Sequence, residues 1–385
     1  VGQGPQINQD QGGHLSFTST SLGALSGTLK LAGQSIAIKG AWEVPLVGNP
    51  TALIVIPRKG DTALAVNLEL VIADRAAPSA RLGGSISEQE PGGESVAIDG
   101  WRHAWPAGSS PAPLAAAYTA ILQVPQPPPP VGAQPHQPEH EVPGGSGYLT
   151  MTSSTKGAVT WTGKLADGTS ITGSATLWQD GRVAMFQSLY SNKGSILGSP
   201  TLAEPVAPAT LNPVTGTIRW FKKAQAVLAF PDGLDLDLQV NGSEYLPPGL
   251  NQLVLGLPEV PAGQNNAEIE VMGGGVEDAA QFLKLAQNFR VTRAHSAFFP
   301  TSALVNPTGM KITTLNSKTG FFKGSFVLKD RTPVVTRTVN FEGVLGSQAG
   351  AGEGFFLLSE LPVAPATSTA KTRQHAGTIY FLPLE

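Results

Sequence analysis

The 385-residue chain contains no cysteine, and this absence excludes several kinds of site at once. Without thiols there is no disulfide, no thiolate nucleophile and no zinc-thiolate centre, so stability must come from packing of the core. Charged residues make up only 14% of the chain, and the formal net charge is −3. Because no basic block appears, the sequence has no electrostatic footprint for nucleic acid or for an anionic membrane surface. Neither partner is expected.

Long apolar runs are also missing. No run approaches the ~18 to 20 residues that a bilayer-spanning helix needs, so no membrane span is expected. No basic-then-apolar signal peptide opens the chain at Val1, so we expect that a leader was removed or that the chain was processed from a longer precursor. Low charge, abundant Thr, Ser and Gly and the absence of Cys are common in bacterial surface proteins, and they predict an extracellular or cell-surface location.

Turn-forming residues are abundant, with 45 glycines and 32 prolines. The Glu, Lys and Arg residues that populate exposed helix faces are correspondingly few. This balance predicts an all-β protein with little or no helix. A chain of this length is also too long for one ordinary core, which favours two or three domains.

Internal repetition is the clearest pattern in the sequence. GHLSFTSTSLGALSGTLKL begins at Gly13, GYLTMTSSTKGAVTWTGKL begins at Gly147, and GMKITTLNSKTGFFKGSFVL begins at Gly309. Each copy alternates apolar and polar residues on both sides of a Ser/Thr/Lys-Gly turn, which predicts a two-stranded hairpin with one wet face. The pattern is typical of antiparallel β-meander modules, closed as barrels or packed as sandwiches. Gly27 and Gly324, at aligned positions, are expected to mark bends or bulges.

Further strands are predicted between the repeats, and residues 275–288 fit either a helix or a strand and turn. The predicted strands are residues 52–57, 63–73, 81–87, 183–190, 234–241, 252–257, 267–272 and 334–345.

Two similar segments are expected to form the last strands of their modules. GTIRWF begins at Gly216 and GTIYFL begins at Gly377. They place module boundaries near residues 110 and 225. The expected modules are therefore residues 1–110, 111–225 and 226–385, each of ordinary domain size.

The segment VPQPPPPVGAQPHQPEHEVP, residues 124–143, cannot enter a sheet interior because proline removes a ladder donor. It could be a linker between domains. However, AYTAILQV, residues 117–124, predicts a strand immediately before it, and GYLTMT follows it. We therefore interpret it as a long loop within the second module.

The first module is expected to lack its opening strand. Strands precede the repeat in the other two modules, whereas only VGQGPQINQDQG precedes GHLSFTST. This predicts an unpaired edge at His14, Leu15 and Phe17 that a strand from a neighbouring copy or another chain completes. Two alternatives are that residues 1–12 cap the edge, and that the start was cut from a longer parent.

Several motifs together resemble a known class of protein region. These are the PRKG turn at residues 57–60, the DGR turn at 180–182, SLYSNKGSILG at 188–198, TGTIRW, and the ending GEGFFLLSELP followed by GTIYFLPLE. In this order they are similar to the tandem β-rich region near the C-termini of very long secreted bacterial surface proteins. The resemblance covers nearly the whole chain. It implies an exported location and this architecture, and it brings no catalytic residue with it.

One aromatic motif is a candidate binding site. Trp101 and Trp105 could form a stacking platform for sugars, with Arg102 and His103 as hydrogen-bond donors. The same spacing also suits a strand that buries both rings in the core, which is the commoner use of tryptophan.

Two clusters are candidate metal sites. His136, Glu139, His140 and Glu141 carry ligand atoms, but the prolines around them forbid the helix that would align two histidines. The carboxylates between Asp232 and Asp237 could bind calcium, although their alternation with leucines indicates a strand with an acidic wet face. No metal or other cofactor is expected.

No Ser-nucleophile elbow, phosphate-binding glycine loop or HExxH string appears, so we expect no enzyme. The leading hypothesis is an exported structural or adhesive protein, a subunit of an extracellular filament, sheath or surface layer assembled through β-strand edges. Its partners would be other copies of itself or another surface protein. The alternative is a glycan-binding module that uses exposed aromatics, and an enzyme with a site between modules comes third.

Overall fold

The computed structural model describes residues 12–31, 34–58, 61–72, 80–89, 95–102, 114–125, 142–178, 180–276, 285–331, 334–362 and 368–384. Twenty-four antiparallel strands in four sheets account for most of this structure, and the prediction of an all-β fold is confirmed. Two single 3-10 turns, Val254–Gly256 and Thr369–Lys371, interrupt the loops. Among the residues just named, no helix has the length and apolar character that crossing a membrane requires.

Module one comprises the first seven strands, which run as a meander in two sheets. Strands β1 to β3 form one sheet and β4 to β7 the other, and a bridge between Glu43 and Thr51 links them. Leucine, isoleucine and valine side chains from both sheets share one core. The strands are β1 (Gly13–Ser19), β2 (Ala24–Leu31), β3 (Gln34–Ala41), β4 (Thr51–Arg58), β5 (Asp61–Ile72), β6 (Ala80–Glu88) and β7 (Ser95–Trp101).

Module two is a nearly closed, barrel-like sheet in which the first and last strands pair. Its last strand, β16, is hydrogen-bonded to its first, β8, from Glu244 opposite Tyr118 onward. The remaining gap lies between β11 and β12, where the Thr172 amide donates to Gln187 Oε1 at 2.7 Å. The strands are β8 (Ala117–Gln123), β9 (Gly147–Ser153), β10 (Ala158–Lys164), β11 (Ser170–Thr176), β12 (Met185–Leu189), β13 (Gly194–Gly198), β14 (Thr201–Leu202), β15 (Pro213–Lys222) and β16 (Leu234–Glu244).

The change of sheet falls after β16 rather than near residue 225. The predicted closing strand, β15, is followed by a turn and then by β16, which pairs with it over ten residues. The alternating leucines of β16 complete the core of module two. Because β16 also pairs with β8, a boundary near residue 225 would divide a continuous sheet. The boundary predicted near residue 110 lies outside the described residues.

Module three is a second nearly closed, barrel-like sheet. Its first strand, β17, pairs with its last, β24, from Ala267 opposite Pro383 to Gly273 opposite Gly377. The strands are β17 (Ala267–Gly273), β18 (Leu285–Val291), β19 (Ala297–Phe298), β20 (Lys311–Leu315), β21 (Phe321–Arg331), β22 (Val334–Gly346), β23 (Ala351–Ser359) and β24 (Gln374–Pro383).

All three sequence repeats form hairpins, as predicted: β1–β2, β9–β10 and β20–β21. The aligned turn glycines Gly23, Gly157 and Gly320 have φ of +85°, +76° and +73°. This left-handed backbone favours glycine, which explains why each copy carries it.

The expectation of bends at Gly27 and Gly324 holds only for the second glycine. Gly324 pairs with Ile312 at a shift of register between β20 and β21. Gly27 lies in an unbroken ladder opposite Phe17, without a left-handed φ. Gly27 instead permits a close approach of chains, since a Cβ there would lie 2.1 Å from the carbonyl oxygen of Ser16.

Two other predictions on local structure have different outcomes. Residues 252–257 do not form a strand, because the chain turns through the 3-10 segment and Leu255 has a left-handed φ of 55°. The strands on either side of the proline-rich segment, β8 and β9, pair with each other. The segment therefore connects neighbouring strands of one sheet, and residues 126–141 themselves lie outside the described residues.

Modules two and three pack against each other through β8 and β9 on one side and β22 and β23 on the other. The Thr119 hydroxyl donates to the Leu345 carbonyl oxygen at 2.7 Å, and Gln123 donates to Glu353 at 2.7 Å. Phe355 and Ala376 of module three belong to the buried core cluster of module two. These apolar and polar contacts hold β8 and β9 of module two against β22 and β23 of module three.

Candidate strand-accepting edge

The edge of β1 is a feature that separates module one from module two; in module three the repeat strand β20 likewise pairs with one described strand, β21. Within the described residues β1 pairs only with β2, and at the other end of the module β7 pairs only with β6. In modules two and three the first and last strands pair with each other, so that the sheet ends lie at β11 and β12 in module two and at β19 and β20 in module three. In module two, β8 pairs with the other side of β9, the repeat strand that matches β1. The described part of module one contains no strand in the position of β8.

Burial along the repeat shows the effect of this difference. Leu149 and Met151 of β9 point into module two and are fully buried. The aligned residues in β1, Leu15 and Phe17, point the same way but remain half-buried. A neighbouring strand covers the side chains of an edge strand as well as its backbone, so the exposed part of Leu15 and Phe17 marks the uncovered side.

The sequence of β1 does not protect the edge in the usual ways. Natural edge strands carry Lys, Pro, a bulge or an inward charge that discourages pairing with another chain. Strand β1 reads GHLSFTS, with His14 as its only ionisable residue, and its register with β2 is unbroken. It therefore offers seven residues of regular backbone.

His14 lies near the start of β1, opposite Lys30 of β2. Burial and the nearby Lys30 charge lower the pKa of His14 from its ordinary value. The neutral imidazole is therefore the favoured form in the fold. At the other end of the strand, the Phe17 ring lies 6.1 Å from that of Trp42, whose indole nitrogen donates to Ser19.

Both edge strands are anchored to module two at one end. Gly12, which precedes β1 with a φ of +59°, approaches Leu197 of β13 so closely that a Cβ would lie 2.4 Å from its Cδ2 atom. At the end of β7, the Trp101 ring stacks on Trp178 with centroids 3.9 Å apart and planes inclined by 20°. The Arg182 guanidinium lies over both rings and contacts Asp99 at 3.2 Å.

This stack determines where the predicted glycan residues lie. The Trp101 ring is engaged by Trp178 and Arg182 and joins two modules, so it packs rather than presenting a free platform. Arg102 is exposed next to it. His103 and Trp105 lie outside the described residues. The sequence could not reveal the stack, because Trp178 comes from a distant strand end.

Apolar side chains are exposed on the loops at one end of module one. Leu22 in the β1–β2 turn is 96% exposed, and Leu46 in the β3–β4 loop is fully exposed. A hydrogen bond from the Trp42 amide to the Gly23 carbonyl oxygen holds the two loops together. Val44 and Val47 extend the same apolar tip. A large exposed apolar group is typical of a contact surface.

The carboxylates considered for calcium are engaged in ion pairs. Asp232 contacts Arg373 at 3.1 Å, and Asp235 receives two hydrogen bonds from Arg219 at 2.7 Å each. Asp235 and Asp237 lie on β16, whose leucines point inward, as the alternation predicted. No group of three or more metal-ligating residues occurs in the part of the chain that the structure describes. The other candidate, at residues 136–141, lies outside that part.

A buried polar cluster inside module two was not predicted. Lys222 and Asp167 form an ion pair of 2.9 Å with both side chains at most 3% exposed. The Tyr190 hydroxyl donates to Asp167 at 2.8 Å and accepts from the Trp220 indole at 2.9 Å. Burial and the Asp167 charge raise the pKa of Tyr190. The available signal was Lys222 at an inward position of β15, in phase with Ile218 and Trp220.

No family model, curated protein or solved structure matches the chain.

Proposed function

We propose that the chain is an exported, non-catalytic structural or adhesive protein whose copies associate through the strand edges of module one. The observation that supports this proposal best is the contrast between the two nearly closed sheets and the open ends of module one. An unprotected edge strand carries a row of unpaired backbone donors and acceptors, and such edges are templates for association.

In the proposed contact, β1 accepts an edge strand from a neighbouring copy. The ladder hydrogen bonds would supply affinity, and burial of Leu15 and Phe17 would supply register and specificity. Because β1 and β7 are different edges, a contact from β7 of one copy to β1 of the next is head-to-tail. A head-to-tail contact that does not close into a ring continues indefinitely, as a filament, sheath or layer requires. The exposed apolar tip next to β1 would add to the same interface.

The location rests on composition. A chain with no cysteine, 14% charged residues and 45 glycines resembles bacterial surface proteins, and it needs no reducing compartment. Another surface protein could supply the strand in place of a second copy.

The glycan-binding alternative through Trp101 has less support. A sugar-stacking platform needs an exposed aromatic face. Trp101 instead stacks on Trp178 beneath Arg182, at the contact between modules one and two. No observation at this position favours glycan binding over packing.

The experiment is to close module one within the same chain. A second copy of β8, AYTAILQ, is fused before Gly12 through a flexible Gly/Ser linker long enough to reach the edge of β1. Sedimentation equilibrium over a wide range of concentrations then compares the fused and native chains. We expect reversible, concentration-dependent association of the native chain and a monomeric fused chain, because the fused strand occupies the edge in cis.

The matched control is a fusion in which the inward residues of the added strand, the counterparts of Tyr118, Ala120 and Leu122, are replaced by serine. This fusion has the same length but cannot bury an apolar face, so it should associate like the native chain. A native chain that stays monomeric at every concentration would overturn the proposal, as would association unchanged by the fused β8 strand.

A further inference from the structure

A second surface feature lies at the junction of modules two and three, away from module one. A groove of about 670 Å³ runs between the end of β10, marked by Lys164, and the outer face of β21 to β23. Its walls are held together by the ion pair of Lys164 with Glu342, at 2.5 Å, and by the Tyr148 hydroxyl on Glu342, at 3.2 Å. The groove is therefore preformed by the packing of the modules, and its volume is that of an ordinary ligand site.

The floor of the groove is a row of polar side chains on β22. Thr336, Thr338, Asn340 and Glu342 alternate along the strand on its outer face. Ser325 lies directly opposite Asn340 on β21. With a rise of roughly 3.3 Å per residue, the row from Thr336 to Glu342 is about 20 Å long. Its length and regular alternation suit an extended ligand lying along the strand.

These polar groups are available to a ligand. Within the described residues, the side chains of Ser325, Thr336, Thr338 and Asn340 make no hydrogen bond to another protein group. Each hydroxyl or amide both donates and accepts. Because they stand on paired strands, their spacing is fixed before any ligand binds, which reduces the entropic cost of binding.

Most of the charges that line the groove are paired within the protein. Glu342 pairs with Lys164 and lies opposite Lys323 across the β21–β22 ladder. Arg337 is buried with Asp330, to which it donates two hydrogen bonds of 2.8 and 2.9 Å, and a third N–H donates to the Ser359 carbonyl oxygen. Within the described residues, Lys323 is the lining charge without an ion pair, and the four neutral hydroxyl and amide groups outnumber it, which favours a hydroxyl-rich, uncharged ligand over an ionic one.

From this combination we infer that the groove binds an uncharged, extended oligosaccharide segment. Sugar hydroxyls match the donor and acceptor groups of Thr336, Thr338 and Asn340, and the apolar C–H face of a sugar matches Leu357 at the side of the groove. The site does not depend on the strand-edge proposal, because none of its residues belongs to module one.

Isothermal titration with cellohexaose, an uncharged and extended oligosaccharide, tests this inference on the full chain. Maltohexaose provides an uncharged but coiled comparison, and an oligogalacturonate provides a charged one. The variant T338V/N340A removes two ligand-facing polar groups and should weaken cellohexaose binding by about tenfold or more, since each neutral hydrogen bond contributes about 1 kcal/mol. The matched control is T160V/T162V, which alters exposed threonines of β10 outside the groove and should bind like the native chain.

Thermal unfolding verifies that both variants remain folded. Absence of cellohexaose binding would overturn the inference, as would stronger binding of oligogalacturonate or an equal loss in the two variants. The fused chain that closes module one should bind cellohexaose normally. The association experiment therefore tests the strand-edge proposal, and the titration separately tests oligosaccharide binding by the groove.

Discussion

Modules one and two begin with the same repeat and differ in what lies beside it. In module two β9 is flanked by β8 and β10, and its inward residues Leu149 and Met151 are fully buried. In module one β2 is the one described strand that pairs with β1, and Leu15 and Phe17 are half-buried. The local sequence determines that each strand forms and which face it turns inward. The topology around the strand determines how far that face is removed from water.

The interiors of the two modules differ in a second respect. Module two encloses the ion pair of Asp167 with Lys222, with Tyr190 bonded to the carboxylate. In module one, by contrast, the ion pair of Arg81 with Asp99 is largely exposed to solvent. A charge that is buried with its partner becomes costly when the partner is removed, whereas an exposed pair is already solvated. The same kind of substitution should therefore have very different effects in the two modules.

The largest expected effect is the loss of Asp167. Asp167→Ala leaves the Lys222 ammonium buried with only the Ala229 carbonyl oxygen as a close acceptor. We expect a loss of about 3–5 kcal/mol of unfolding free energy in module two. Arg81→Ala, which removes an exposed pair in module one, should cost less than about 1 kcal/mol. Urea unfolding followed by tryptophan fluorescence measures both, and equal losses in the two variants would contradict the contrast.

The next effect compares aligned leucines in the two repeats. Leu149→Ala creates a cavity in a closed core and should cost about 3 kcal/mol. Leu15→Ala removes the same atoms from an edge that water already reaches, so we expect a cost nearer about 1 kcal/mol. If association covers β1, the cost of Leu15→Ala should rise with protein concentration while that of Leu149→Ala stays constant. Chemical denaturation at two protein concentrations would detect this difference.

Much of the fold follows from local pattern, and the errors arise where distant segments meet. The repeat, its turn glycines and its inward faces depend on alternation and on left-handed φ, which neighbouring residues specify. The end of module two was misplaced because β16 belongs to the sheet through its partners, β15 and β8, and not through any feature of its own sequence. Likewise, Trp101 was recognised as either platform or core, and only the position of Trp178 decides between them.

The candidate sites divide in the same way. The prediction of an open edge at His14, Leu15 and Phe17 needs the sequence alone, because it comes from counting the strands before each repeat. The groove could not, because Lys164 and Asn340 belong to different modules whose contact is a tertiary event. The cluster of Asp167 and Lys222 is marked in the sequence by one feature, a lysine in phase with the inward apolar residues of β15. Alternation alone does not show whether such a lysine is buried or lies just past the end of the strand.

A smaller effect is expected at Gly27, where β1 and β2 approach each other closely. In Gly27→Ala the new Cβ would lie 2.1 Å from the Ser16 carbonyl oxygen, so the β1–β2 ladder must shift. We expect a loss of about 1–2 kcal/mol and weaker association, because the displaced strand is the proposed accepting edge. Gly100→Ala in β7 is the matched control: its Cβ would meet only the Leu82 side chain, at 3.4 Å, and should be tolerated. Equal melting temperatures for the two variants would show that the close approach is unimportant.

The smallest effect concerns acid, and it arises at aligned residues of the two repeats. His14 of β1 matches Tyr148 of β9, and burial perturbs both: it lowers the pKa of His14, with Lys30 adding to the shift, and raises that of Tyr148, with Glu342 adding. Because the folded state disfavours protonated His14, the unfolded state binds more protons as the pH falls. The stability that neutral His14 contributes is therefore complete above its unfolded pKa of about 6.5 and decreases as the pH falls towards the lower, folded value. Thermal unfolding at pH 7.5 and pH 5 should show that the melting temperature of module one decreases in acid, and that the decrease is smaller in His14→Gln. If His14→Gln keeps the full decrease of the native chain, other groups cause it.

Tyr148 has the opposite pH dependence. Its contribution to stability is present below pH 10 and decreases as the pH rises above it, so acid should weaken module one while alkali weakens module two.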